Sequence, residues 1–397
     1  MRTGKILKSI VGAILLAGFC PAWGADWVGT WGASPQLTEP RNLPPPPGLT
    51  GNTARQFVQI SIGGEKLRVR FSNAFGTNAV TMNSVHLALP ISDSAIDTNS
   101  DKALTFNGKP TVTIPAGESV LSDTLDFHLA PLSRLAVTIH FGDTSGAVTG
   151  HPGSRTTSYL QSGDAVTAAE LTDAVTNQHW YFLTGIDVRV KHSPGAIVAF
   201  GDSITDGRGS GTDKNDRWPD DLAHRLQADK STAAIAVLNE GIGGNCILRG
   251  GLGPTALSRF DRDVLGQSGA RWLIIFEGVN DIGGSRSASV ATNLISAFQK
   301  MIAQAHAHHL RVYGATITPF GGSFYDSPAH ETAWQTVNDW IRNSGQFDAV
   351  IDFAAAMGDP QNPSHLLPAA DSGDHLHPNE TGYQMMAGAI DLKLFKK

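Results

Sequence analysis

Two short segments of the chain carry residue types that together could activate a nucleophile. Residues 201–207 read Gly-Asp-Ser-Ile-Thr-Asp-Gly, and residues 374–378 read Asp-His-Leu-His-Pro. Serine is a poor nucleophile at neutral pH, so it needs an imidazole to take its proton and a carboxylate to hold that imidazole in the useful tautomer. The two segments supply all three groups and predict acyl transfer through Ser203.

Three apolar runs end beside the residues that such chemistry needs. Runs 196–200, 235–238 and 273–276 are typical of strands buried on both faces of a parallel sheet. Open α/β sheets bind ligands at the carboxyl ends of their strands, so the segments that follow the runs are predicted to meet at one site. After the second and third runs come Gly244 and Asn280, whose N–H groups could stabilise an oxyanion.

Four segments resemble, in this order along the chain, the four blocks of the SGNH (GDSL-type) hydrolase family. They are residues 201–207, the segment that contains Gly244, the segment Gly-Val-Asn-Asp that contains Asn280, and residues 374–378. They differ from the Gly-x-Ser-x-Gly elbow of α/β-hydrolases, because Thr205 stands where the second glycine would be. The resemblance covers roughly residues 195 to 390 and implies an ester hydrolase that requires no metal or organic cofactor. By position it implies the following roles: Ser203 as nucleophile, His377 as base, Asp374 as its orienting carboxylate, and Gly244 and Asn280 as oxyanion donors with the Ser203 amide.

Each of these residues also has a plainer interpretation. Ser203 could be a turn or helix-cap serine, and Asn280 could belong to a strand-ending turn. The presence of all four blocks favours the catalytic interpretation. Gly244 is preferred to Gly241 and Gly243 by the family alignment alone.

The histidine segment leaves two alternatives. His375 competes with His377 as the base, and His377 is preferred because Asp374-x-x-His matches the family spacing and proline follows. These side chains could instead bind a metal ion, but no convincing third or fourth ligand is found in the sequence.

The first residues are typical of a secretory signal. Basic residues precede an apolar stretch at 10–19, and cleavage after Gly24 would leave small residues at the expected positions. The stretch is too short to span a bilayer, and Phe19 before Cys20 disfavours a lipoprotein anchor. We therefore expect a secreted or periplasmic protein with no stable membrane insertion. Cys246 would be the one cysteine left, which excludes an intramolecular disulfide.

Length and pattern predict two domains after the signal at 1–24. Residues 25–192 contain strand-like stretches at 57–62, 66–71, 85–89 and 135–141, which predict an antiparallel β-sandwich of the jelly-roll kind. Residues 193–397 alternate strands and helices, which predicts an α/β fold with a flavodoxin-like parallel sheet flanked by helices. Further strands are expected at 312–317 and 349–353, and helices from Pro219 and from about Thr381.

Composition and one further resemblance bear on the substrate. A net charge of −6 gives no basic patch for nucleic acid, and 17% charged residues suit a neutral or sugar-like substrate. Residues 27–34 and 217–220 resemble a subgroup of the family that includes acylhydrolases associated with xylan-degrading bacterial gene clusters. That resemblance implies a serine esterase for short-chain esters, with O-acetyl groups of plant polysaccharides as the candidate substrate.

Two alternatives remain open at this point. One is an arylesterase, or a lipase or lysophospholipase of broad acyl range, and loops 249–262 and 320–328 are expected to shape its acyl pocket. The other is a carbohydrate-binding protein with a vestigial catalytic domain, for which Trp27, Trp31 and Trp180 are candidate sugar platforms, although tryptophans in a β-sandwich more often pack in the core. The sequence makes no prediction of the oligomeric state.

Overall fold

A computed structural model describes residues 26–191 and 194–396 of the chain. The predicted signal at 1–24, with Cys20, lies outside the described residues. Within the described part, no helix is long and apolar enough to cross a membrane.

The second half of the described chain contains the predicted parallel sheet. In spatial order, its strands are Ile235–Gly241, Gly195–Gly201, Ala270–Phe276, Arg311–Ala315 and Ala349–Ile351. All four neighbouring pairs are parallel. With the strands numbered along the chain, the order is 2-1-3-4-5, which is the flavodoxin-like order. The parallel-sheet prediction is confirmed.

Helices cover this sheet and begin where the sequence supplies capping residues. The helices are Ser203–Asp206, Trp218–Ala228, Ala256–Phe260, Val279–Gly283, Val290–Ala307, Pro328–Asn343, Phe353–Met357 and Glu380–Ala389, followed by short helical turns at Asp261–Leu265, Pro368–Ala370 and Leu392–Phe395. Ser327 and Asn379 cap two of them by accepting hydrogen bonds from first-turn N–H groups. The longest helix buries Leu294, Phe298 and Met301 on one face.

Several boundaries differ from the predicted ones. The run at 312–317 leaves the sheet at Ala315, and the run at 349–353 leaves it at Ile351. Asp352 ends the latter strand because its carboxylate accepts the Ala355 N–H and starts the helix Phe353–Met357. Segment 249–262 is not wholly a loop, since Thr255 caps a helix within it.

The first half of the described chain is antiparallel, as predicted. One sheet contains Asp26–Gly32, Leu183–Val190, Gly64–Ser72, Ser119–Leu121 and Leu125–Leu129. A second contains Val175–Asn177, Ser158–Gln161, Thr53–Gln59, Arg134–Phe141, Val80–Ala88, Lys102–Ala103 and Val112–Ile114. A third contains Trp180–Tyr181, Thr149–His151 and Gln36–Leu37, and the pair Pro90–Ser92 and Ala95–Ile96 forms a small ribbon. The jelly-roll arrangement stays a prediction.

Antiparallel and parallel pairing change over between Val190 and Gly195, near the predicted boundary. The two regions are nevertheless in close contact, because one hydrophobic cluster includes Val28 and Trp31 from the first and Ala196 and Leu238 from the second. We call residues 26–191 the antiparallel region and residues 194–396 the parallel region.

Candidate active site

Ser203 lies at the sharp junction between the first parallel strand and a short helix. Asp202 caps that helix, since its carboxylate accepts the Ile204 N–H at 2.9 Å. A Cβ atom on Gly201 would lie 2.1 Å from the Thr205 hydroxyl oxygen, so the chain needs a glycine there to turn this tightly. The turn leaves the Ser203 side chain at the carboxyl edge of the sheet.

His377 faces Ser203 and is held by Asp374. The Ser203 Oγ lies 2.9 Å from His377 Nε2, and His377 Nδ1 lies 2.7 Å from Asp374 Oδ2. The other oxygen of Asp374 accepts the backbone N–H groups of Leu376 and His377 at 3.0 and 2.8 Å. This arrangement can take a proton from the serine and stabilise the imidazolium that results.

Burial and hydrogen bonding shift the pKa values of His377 and Asp374. Burial lowers the pKa of His377 below its ordinary value of 6.5, although Asp374 opposes that shift. Burial alone would raise the pKa of Asp374, but hydrogen bonds from the backbone and ring of His377 lower it to about 2. At neutral pH Asp374 is therefore ionised and His377 is a neutral base.

The competing histidine lies elsewhere. His375 has a side chain that is 56% exposed, and its Nδ1 lies 2.7 Å from Asp371 Oδ2. In the part of the chain that the structure describes, no group of three or more His, Cys, Asp and Glu residues is placed to hold a metal ion.

The three predicted oxyanion donors are brought to the same cleft as Ser203. Among the described residues, the backbone N–H groups of Ser203 and Gly244 have no acceptor. Gly244 has φ of +69°, a left-handed conformation that favours glycine. The Asn280 Nδ2 donates to the Asn245 carbonyl at 2.8 Å, which leaves its second N–H for a ligand.

Tyr325 orients the Asn280 amide, a role for which the sequence contains no motif. Its hydroxyl donates to Asn280 Oδ1 at 2.9 Å, while the Asn245 carbonyl accepts from the other end of the same amide. Flipping the amide would place its oxygen against that carbonyl, so these contacts fix which end donates. A Cβ atom on Gly283 would lie 2.2 Å from the tyrosine ring, so this glycine makes room for Tyr325.

Ser203 and His377 lie in a cleft of about 430 Å³, and residues of both regions line this cleft. The parallel region contributes Ser203, Asp206, Arg208, Gly243, Gly244, Leu252, Asn280, Phe324, Tyr325, Leu376 and His377. The antiparallel region contributes Gln36, Glu39, Arg41, Asn42, Pro152, Gly153, Arg155 and His179. Leu252 and Phe324 belong to the two segments that were expected to shape an acyl pocket, whereas the second wall was not predicted.

A buried polar contact joins that second wall to the nucleophile helix. His151 Nε2 lies 2.9 Å from Asp206 Oδ1, and His151 Nδ1 lies 2.9 Å from the Ser34 carbonyl oxygen. A Cβ atom on Gly153 would lie 2.0 Å from Asp206 Oδ2, so only glycine permits this close approach. The wall is therefore held at a fixed distance from Ser203.

Beneath the cleft, Arg259 connects several of the site segments. Its guanidinium donates to the Asn245 side chain, to the Gly201 carbonyl and to Ser34 Oγ, each at 2.9 Å. It also contacts the buried carboxylate of Glu277, whose pKa burial raises well above its ordinary value. One buried cation thus links the strand before Ser203, the segment after Gly244 and the antiparallel region.

Three other residues considered from the sequence are buried. Trp31 and Trp180 pack edge to face at 4.9 Å, so these two candidates pack in the core, the role expected to be more common for tryptophans of a β-sandwich, and are not sugar platforms. Cys246 is buried, and burial raises the pKa of its thiol to about 12, which makes it a poor nucleophile.

Comparisons with known proteins agree with the second half of this arrangement. Residues 199–385 match the model of the GDSL-like lipase/acylhydrolase family. A search among curated proteins gave no match.

The solved structures that are similar to this chain include the following three bacterial proteins, each of which matches about half of its length. A GDSL-like lipase from Bacteroides thetaiotaomicron has 19% identity over 49% of this chain and 85% of its own, with a TM-score of 0.38. A member of the lipolytic G-D-S-L family from Veillonella parvula has 21% identity over 49% of this chain and 94% of its own, with a TM-score of 0.36. A variant of an acetyl xylan esterase from Geobacillus stearothermophilus has 23% identity over 50% of this chain and 93% of its own, with a TM-score of 0.38.

Proposed function

We propose that the chain, whose residues 199–385 match the model of the GDSL-like lipase/acylhydrolase family, is a carboxylic ester hydrolase that cleaves short-chain esters through a covalent acyl-Ser203 intermediate. The observation that carries this proposal is the unbroken series of hydrogen bonds from Ser203 through His377 to Asp374. A nucleophile, a base and an orienting carboxylate in series are what acyl transfer to serine requires.

In the acylation step, Ser203 Oγ attacks the ester carbonyl carbon while its proton passes to His377 Nε2. The carbonyl oxygen becomes an oxyanion, which accepts hydrogen bonds from the N–H groups of Ser203, Gly244 and Asn280. The bond to the alcohol oxygen then breaks, and His377 returns the proton to that oxygen.

Deacylation repeats the same steps with water. His377 takes a proton from water as it attacks the acyl carbon, the same donors stabilise the second oxyanion, and Ser203 Oγ leaves with the proton from His377. Asp374 stays ionised throughout, in keeping with its low pKa of about 2.

Short acyl groups are favoured by what lines the cleft. The apolar side chains in the lining are those of Pro152, Leu252, Phe324 and Leu376, and most of the other lining residues are polar or charged. This suits a small acyl group and a polar alcohol better than a long acyl chain. Acetyl esters of carbohydrates, as on plant polysaccharides, are the substrate class we propose.

The finer predictions about the whole chain are part of this proposal. We propose a secreted or periplasmic enzyme after removal of 1–24, with residues 25–192 as a jelly-roll-like β-sandwich domain and residues 193–397 as the catalytic domain. The cleft lining from the antiparallel region supports a role of that domain in substrate recognition.

A series of p-nitrophenyl esters from acetate to long chains tests the proposal. The protein should be most active on acetate, and Ser203→Ala should lower kcat/KM at least about 10³-fold because the nucleophile is lost. Ser231→Ala, at an exposed serine outside the cleft, is the matched control and should retain full activity. A long-chain optimum would favour the lipase alternative, and absence of hydrolysis would favour the binding alternative.

A further inference from the structure

Three arginines line the cleft without a hydrogen bond from their guanidinium groups to any described residue. They are Arg41, Arg155 and Arg208. The nearest carboxylate oxygens lie 3.8 Å from Arg155 (Asp206) and 4.0 Å from Arg208 (Asp374), both beyond hydrogen-bond distance. By contrast, the buried Arg217 is paired with Asp220.

Of the three arginines, Arg155 is the least exposed. Its side chain is 29% exposed, yet its Nε is fully buried and has no hydrogen-bond partner among the described residues. A buried donor without an acceptor is costly unless a ligand supplies one.

The backbone of Arg155 is held in a strained conformation. Its φ is +51°, in the left-handed region that a side chain such as arginine rarely adopts. Asp213 of the parallel region fixes this loop, since its carboxylate accepts the N–H and hydroxyl of Thr157 at 2.7 and 2.6 Å and its own N–H donates to the Arg155 carbonyl at 2.9 Å. The backbone that carries the Arg155 side chain is therefore fixed beside the cleft.

The acidic groups of the cleft already have partners. Glu39 accepts hydrogen bonds from the side-chain amides of Gln36 and Asn42 at 3.1 and 2.7 Å. Asp206 Oδ1 accepts a hydrogen bond from His151 Nε2 at 2.9 Å. The unused hydrogen-bonding capacity of the cleft is thus on the cationic side.

Arg155 and Arg208 lie near His377, on the side of the cleft from which the alcohol would leave. His377 must hand its proton to the alcohol oxygen, so the alcohol lies next to the imidazole. Arg208 and Arg155 are close enough for their charges to lower the pKa of His377, after the larger effect of burial. Leu252 contacts the Gly244 side, where an acyl group would lie.

We propose that the alcohol moiety of the natural ester carries a carboxylate, which Arg155 and Arg208 bind in the cleft that Arg41 also lines. This inference rests on the proposed function and adds the charge of the substrate to it. Arginine suits this role because its planar group binds a carboxylate through two parallel hydrogen bonds. An acetylated acidic sugar is one alcohol of this kind.

Two esters that differ in a single charge test the proposal. The full chain is assayed with 4-acetoxybenzoate and with 4-acetoxybenzamide, and the ratio of the two kcat/KM values is taken for each variant. Relative to wild type, Arg155→Gln/Arg208→Gln should lower the acid-to-amide ratio by about 10-fold, since both charge-assisted contacts are lost. Raising the salt concentration should lower the wild-type ratio and leave the ratio of the double variant nearly unchanged.

A ratio removes effects that the two esters share, such as partial unfolding or a displaced Ser203. Arg189→Gln, at an exposed arginine outside the cleft, is the matched control and should keep the wild-type ratio. If both esters are hydrolysed and the double variant keeps the wild-type ratio, the proposal is overturned while the esterase function stands.

If neither ester is hydrolysed, the proposed function fails and binding decides the inference. Calorimetry then compares the affinity for the two compounds. A preference for the acid that the double variant loses supports the arginine site, and equal affinity of the wild-type protein for both compounds overturns it.

Discussion

The parallel and antiparallel regions contribute different kinds of residue to one cleft. The parallel region supplies every group that we assign to bond making and breaking, and each lies at or after the carboxyl end of a strand. The antiparallel region supplies none of these groups but forms the opposite wall, which includes Arg41 and Arg155. In our proposal the reacting groups therefore come from the parallel region alone, whereas recognition uses both regions, since Arg208 of the parallel region binds the substrate carboxylate together with Arg155.

This separation does not make the regions mechanically independent. They share a hydrophobic cluster, and the buried Ser34 hydroxyl donates to Glu240 at 2.6 Å across the boundary. Burial raises the pKa of Glu240 above its ordinary value. Together with the His151–Asp206 contact, these links keep the recognition wall in register with Ser203.

Asn280→Ala is the substitution that tests the parallel region most directly. It removes one oxyanion donor, so kcat should fall about 10²- to 10³-fold for charged and neutral esters alike. Steady-state kinetics on 4-acetoxybenzoate and 4-acetoxybenzamide measures the fall in kcat for the charged and the neutral ester.

The matched control is Asn343→Ala, at an exposed residue at the end of the helix Pro328–Asn343, which should behave as wild type. If Asn280→Ala altered the acid-to-amide ratio instead of the common rate, the separation of the two roles would be wrong.

The groups that sequence could predict are those that a short motif fixes. Ser203 lies two residues after the end of its strand, and Asp374 and His377 are three residues apart, so local spacing defines the position of each. The parallel strands were predictable for a similar reason, since runs such as 235–238 are apolar on both faces. Their ends were less certain because capping residues such as Asp352 compete with the apolar pattern.

The residues that sequence could not predict depend on contacts between distant parts of the chain. Tyr325 meets Asn280 across 45 positions, and His151 meets Asp206 across 55. Neither pair has a motif, and a tyrosine or histidine in a polar loop is compatible with many roles. Arg155 was missed for the same reason, because nothing local shows that residues 152–155 line the cleft of the other region.

Tyr325→Phe should have a smaller effect than loss of the donor itself. It removes only the hydroxyl that orients Asn280, so kcat should fall about 3- to 10-fold with little change in KM. Tyr313→Phe is the control, because the Tyr313 hydroxyl donates to the Leu394 carbonyl outside the cleft.

A double variant distinguishes a positioning role from a general structural one. If Tyr325 acts through Asn280, then Tyr325→Phe should cost little in the Asn280→Ala background. Full additivity of the two losses would contradict that role.

The smallest expected effect concerns the base and asks whether the antiparallel region affects the chemistry after all. In wild type, kcat/KM should fall on the acid side as His377 gains a proton, with a midpoint below 6.5 because burial lowers the pKa of His377 in the folded protein. The Arg155 charge adds to that lowering, so Arg155→Gln should move the midpoint to higher pH. The measurement is the pH profile for 4-acetoxybenzamide, a neutral ester whose own charge does not change. A shift would mean that the recognition wall also tunes the base, whereas an unchanged midpoint would confine Arg155 to binding and make the separation of roles complete.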